Sequence, residues 1–139
     1  MIEEIQNNII AQLATIAGVA TVDAWQGDIE DLLKTPQKLP SLHVLYQSAV
    51  YETFEQAGEN TSAALDFLVV LTTQNQKSRR AGSVASYTVI EAVRSQLVGH
   101  QIADFDFLRP VREDLITTVG GILVYGLTYR LSNVLIQTD

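Results

Sequence analysis

Ala64-Leu65-Asp66-Phe67-Leu68-Val69-Val70-Leu71-Thr72-Thr73 is the stretch that decides the fold. Phe67–Leu71 is an unbroken apolar run of strand length, flanked by small and β-branched residues. A run of that kind is a strand covered on both faces for part of its length, and hence a central one. A central strand needs neighbours on both sides. Just upstream, Ala57-Gly58-Glu59-Asn60 is turn chemistry. It implies that residues 41–54 and 62–74 are two strands joined by a loop projecting from the sheet. In the first of them Leu42, Val44 and Tyr46 share one face and His43 takes the other.

Farther out, the helical patterns appear. Ile2, Ile5, Ile9, Leu13 and Ile16 recur at spacings of three and four, drawing one apolar stripe that Gly18 can terminate. Residues 19–25 read as a short strand, Asp28 as the cap of a helical turn through Leu33, and Pro36 and Pro40 as breaks. After residues 74–80 a second long helix places Ser86, Val89, Ile90, Val93 and Leu97 on one face, with Thr88, Glu91 and Ser95 pointing away, and stops at Gly99. Phe105, Phe107 and Leu108 begin another strand that Pro110 interrupts. Gly120-Gly121 leads into residues 122–136, the longest strand, where Leu123, Tyr125, Leu127, Tyr129 and Leu131 alternate with smaller or polar residues. This order has too few strand-helix-strand crossovers for a doubly wound fold. The expectation is α+β: a mostly antiparallel sheet of four to five strands with two main helices packed on one face.

The chain has 139 residues, which fits a single domain over residues 1–139. Hydrophobic residues make up 47% and charged residues 18%, a globular composition with no apolar run of membrane-spanning length. Met1-Ile2-Glu3-Glu4 puts acids where a signal peptide has bases, so the chain reads as soluble and unprocessed. The absence of Cys excludes disulfides, thiol nucleophiles and Cys-based zinc sites. Net charge is -7, and residues 1–60, with nine acids and two bases, carry all of it. Such a balance opposes binding to a nucleic-acid backbone.

The search for chemistry returns mostly exclusions. His100, Asp104 and Asp106 are too few and too loosely spaced to make a strong metal set. Ala81-Gly82-Ser83-Val84-Ala85 lacks the flanking glycines of a nucleophile elbow. Gly120-Gly121 has no following Gly-Lys-Ser/Thr to cradle a phosphate. The pair Glu113 and Asp114, and the group Asp28, Glu30 and Asp31, read as surface carboxylates. No catalytic, metal or cofactor-binding residue is assigned, and the chain is expected not to be an enzyme. Lys77, Arg79 and Arg80 form the only basic cluster, in a short connection ahead of the second helix. With Tyr51 and Phe54 they are candidates for a protein interface, where aromatic side chains and Arg are favoured.

A resemblance rests on short motifs in a fixed order: the N-terminal amphipathic helix, Leu39-Pro40-Ser41-Leu42-His43-Val44, Arg80-Ala81-Gly82, Glu91-Ala92-Val93-Arg94-Ser95-Gln96-Leu97-Val98-Gly99-His100, Leu108-Arg109-Pro110, and Leu123-Val124-Tyr125. In that order the chain resembles a family of tail-completion proteins from Mu-like phages and prophages, and it is similar in size and topology to phage tail terminators. The resemblance implies a structural protein that caps the tail tube, stops its polymerisation and presents a surface for head–tail joining. Its partners would be itself, in a ring of six, the tail tube, the sheath protein and a head-completion protein. DNA would pass without specific binding, no membrane would be involved, and assembly would take place in the host cytoplasm before the protein resides in the virion tail. For such a ring the acids Asp28, Glu30, Asp31, Glu52 and Glu55 are expected toward the lumen, and residues 51–61 and 74–80 toward assembly contacts. The alternatives are another neck protein, either head-completion or connector, a small carboxylate-dependent enzyme, and a nucleic-acid-binding module.

Overall fold

The computed structural model describes the backbone of residues 1–54, 60–74 and 79–137, and the side chains of residues 1–51, 61–74 and 85–136. In chain order the elements are α1 (Ile2–Leu13), β1 (Thr21–Ala24), α2 (Ile29–Lys34), β2 (Ser41–Phe54), β3 (Asn60–Gln74), α3 (Arg79–Leu97), β4 (Leu108–Val119) and β5 (Ile122–Gln137). The strands form one sheet in the order β1-β2-β3-β5-β4. The β1–β2 pairing is parallel and the other three are antiparallel. This is the expected α+β architecture, with β3 at the centre.

Two apolar layers hold it. On one face Leu42 and Val44 of β2, Phe67, Val69 and Leu71 of β3, and Leu127, Tyr129 and Leu131 of β5 pack under Ile5, Ile9 and Leu13 of α1 and Ile90, Val93 and Leu97 of α3. Each such side chain contributes about 1.5–3 kcal/mol on leaving water. Ser86 of α3 is buried against β3 and satisfies its hydroxyl on Thr73 at 2.6 Å. The opposite face is covered over a smaller area. There α2 sets Leu32 on Val70 and Val124, with Trp25, Ile29, Leu33, Leu45, Leu68 and Ile122 around them. A six-residue helix is too short to persist alone, so this docking is what maintains α2. Asp28 occupies its N-cap position without a side-chain capping bond.

Several sequence-based boundaries move. α1 ends at Leu13, so Ile16 lies beyond the helix and Gly18 does not terminate it. β1 is confined to Thr21–Ala24, within the expected 19–25. α3 begins at Arg79, so Arg79 and Arg80 belong to its first turn rather than to the preceding connection. The strand expected to start at Phe105 and break at Pro110 instead runs from Leu108 to Val119, straight through the proline. Phe107 only makes an isolated bridge to Gln101. Pro110 is tolerated because β4 is an edge strand, where a missing N–H need not break the ladder. Gly120 and Gly121, at φ of 55° and 80°, supply the two positive values of a type I′ turn and join β4 tightly to β5.

β2 and β4 are both bent. β2 carries an extra residue against β3 at Gln47 and again at Glu52, and β4 carries one against β5 at Val111 and again at Ile116. Such bulges kink a strand and sharpen its twist.

Candidate assembly surfaces

These two strands carry seven exposed large apolar side chains. β1 covers the side of β2 only from Ser41 to Val44, and the last contact there is the Trp25 N–H donating to the Val44 carbonyl at 3.1 Å. Beyond it, among the described residues, β2 pairs only with β3, and β4 pairs only with β5. Tyr46, Val50 and Tyr51 stand exposed on β2, Tyr51 at 65%. Val111, Leu115, Ile116 and Val119 stand exposed on β4, Leu115 and Val119 at 54% each. Long, apolar, unpaired edges are what soluble domains normally avoid.

The candidates from the sequence fall in several places. Tyr51 lies on the uncovered part of β2 opposite Ala63, and Phe54 ends the strand opposite Thr61. Glu52 is the extra residue of the second β2 bulge. Glu55 and Lys77 lie outside the described residues. Arg79 and Arg80 open α3, on a different element from the aromatic pair. Asp28, Glu30 and Asp31 are all exposed and gather at the start of α2. Since α2 lies across the sheet from α1 and α3, these acids share neither main helix's face.

What sequence reasoning missed is the β4 edge. Its alternation is interrupted by the bulges at Val111 and Ile116 and masked by Arg112-Glu113-Asp114. The signal that was available is Gly120-Gly121: a two-residue turn of this composition implies a strand immediately before it as well as after.

Several polar groups are engaged structurally, whereas His43 Nδ1, Thr72 Oγ1, Ser132 Oγ and the Tyr129 hydroxyl are buried without a hydrogen-bond partner among the described residues. Arg94 of α3 makes a bidentate ion pair with Glu113 of β4, one bond at 2.8 Å, and this partner holds the guanidinium pKa above its usual value. Tyr129 lies beneath, its hydroxyl pushed up to about 12 by burial and then by Glu113. Arg130 pairs with Asp66 at 2.8 and 3.0 Å on the α2 side of the sheet. Of the weak metal set, His100 Nε2 pairs with Asn8 Oδ1 at 2.9 Å, and Asp106 accepts from Asn133 Nδ2 at 2.9 Å and from the Phe107 N–H at 2.8 Å. Among the described residues no group of three or more His, Asp or Glu is placed to hold a metal ion. No described helix is long and apolar enough to cross a membrane. The molecule's distinctive surfaces are therefore edges suited to contact with other proteins.

The family model for the phage tail terminator protein matches residues 5–138. The chain belongs to that family. Tail terminators are structural, non-enzymatic proteins of the virion tail. A chain in the virion of a native gene transfer agent (GTA) particle has the same fold, with a TM-score of 0.60 over 92% of each chain at 17% identity. No curated protein matches. For a tail terminator, exposed strand edges without a catalytic group are the features to explain.

Proposed function

We propose that this tail terminator caps the end of the tail tube, stops its polymerisation and offers the surface on which the head is joined, acting as a closed ring of six subunits. The observation that carries this reading is the family match over residues 5–138. The two apolar strand edges support it, because a ring subunit needs two different, complementary side surfaces that close on rotation. The motif order quoted above supports reading it as a protein of Mu-like phages and prophages. Its partners are other copies of itself, the tube protein, the sheath protein and a head-completion protein, with assembly in the host cytoplasm. Residues 51–61 and 74–80 carry assembly contacts. DNA passes through the ring unheld, past Asp28, Glu30 and Asp31 on the lumen side, with Glu52 and Glu55 contributing from the projecting hairpin.

Tube length is the test. Phage particles assembled without this chain should carry tubes of uncontrolled length and no attached heads, and supplying the chain should restore uniform tails. Tubes of normal, uniform length in its absence would remove the terminator role.

A further inference from the structure

We infer that neighbouring subunits join by continuing the sheet, the outer edge of β4 in one copy pairing antiparallel with the uncovered part of β2, Leu45–Phe54, in the next. The inference rests on the ring reading above and specifies its contact. Three antiparallel pairings separate β2 from β4, so the two strands run in opposite directions. A rotation about an axis near the strand direction therefore brings the next copy's β4 beside β2 already antiparallel.

One register satisfies both edges. It sets Leu45 opposite Thr117 and runs to Phe54 opposite Leu108. The bulges on β2 and on β4 have the same spacing, five residues. In this register Gln47 lies beside Ile116 and Glu52 beside Val111, so the two bends coincide. Ser48 and Asp114, and Val50 and Arg112, lie toward α2; Ala49 and Glu113 lie toward α1 and α3. Tyr51 meets Val111, pairing exposed apolar residues, while Tyr46, against Phe67, and Ile116, over Gly126, flank the other bend from opposite faces. No charge opposes a like charge, and Glu52 falls opposite Pro110, between Arg109 and Arg112. The incoming β4 stops where β1 begins. There a hollow of about 650 Å³, lined in part by Ile2, Gln6, Trp25 and Tyr46, receives the Val119-Gly120-Gly121 tip.

The geometry of closure agrees. Within one copy the ladders set Ser48 level with Arg109, so pairing it with the neighbour's Asp114 is an offset of four ladder positions, the Val111 bulge adding none, over four strand steps. At about 3.3 Å per residue and about 4.8 Å per strand, that inclines the strands by about 35°, at the lower end of the range of closed barrels. With the usual right-handed twist and crossovers, an offset of this sign requires α1 and α3 on the outside. The reverse facing slides β4 onto Ser41–Val44, which β1 already holds. Sheet continuation thus turns α2 and its acids toward the lumen.

The chain has no Cys, so paired cysteines report the contact directly. The variant carrying Ser48→Cys and Asp114→Cys should, on oxidation, give a covalent ladder ending at the ring size, while either single variant stays a monomer under denaturation. A second pair, Val50→Cys with Arg112→Cys, guards against a misfolded first variant, with circular dichroism checking both. Rings visible by electron microscopy but uncrosslinked in both folded double variants would overturn sheet continuation and leave the ring standing. Tube ends without rings would overturn the ring reading, and this inference with it.

Discussion

His43 shows how a side chain's role is set by which face of β2 it takes. Alternation places it opposite Leu42 and Val44, and the structure puts it there, 6% exposed, with its ring edge-on to Trp25 at a centroid distance of 6.3 Å. Its Nδ1 is buried without a hydrogen-bond partner. Burial lowers its pKa, and Asp23 offsets part of that shift. An unfolded histidine takes up a proton below about pH 6.5 while this one resists, so the unfolded state binds more protons there. Its contribution to stability is complete above that pH and is lost as pH falls toward the depressed folded value. The melting temperature of the protein should fall more steeply than that of His43→Phe between about pH 7 and pH 5.5; parallel curves would show that the group does not titrate differently on folding. The burial itself was not legible in the sequence, because it depends on α2 docking over β2. Gly126 is a similar case. A Cβ there would meet Ile116 Cδ1 at 2.9 Å and Leu68 Cδ1 at 3.2 Å, a close approach that only the folded sheet creates.

Elements with an unbroken period were legible, and elements with a broken one were not. The stripe Ile5, Ile9, Leu13 and the stripe Ser86, Ile90, Val93, Leu97 gave α1 and α3 the buried faces they have. The apolar run of β3 identified the central strand. β4 was cut short because two bulges shift its alternation and a proline mimics a stop, although at a sheet edge neither prevents pairing. The start of α3 is hard to read from the sequence because Arg79 and Arg80 are loop chemistry, and two cations in a first helical turn are unfavourable with the helix dipole. Changing both to Glu should therefore leave the isolated protein as stable or slightly more so, by up to about 1 kcal/mol per residue, while impairing assembly. Thermal melts and tail-completion assays read the two effects separately. A double variant that melts normally and completes tails normally would remove the basic pair from the assembly surface.

For the whole molecule the organising fact is that an acidic helix lies on one face of a sheet whose unpaired edges are apolar. Asp28, Glu30 and Asp31 gather on α2, across the sheet from the main helices, and Glu30 lines a hollow with Ile116 and Val119 of β4. A ring that joins along those edges leaves the acidic cluster free to line a passage, where negative charge keeps a polyanion moving rather than bound. Replacing these three acids with Lys should preserve ring formation, slow DNA ejection and make the ring retain DNA in a salt-dependent way. Ejection at the normal rate would show that the cluster has no part in passage. The terminator role depends on where the protein resides, which cryo-electron microscopy of completed tails shows directly. A closed ring of six copies should sit on the head-proximal end of the tube, with α1 and α3 outermost; the chain located at the tail tip, or at the tube end as anything other than a closed ring, would overturn that role.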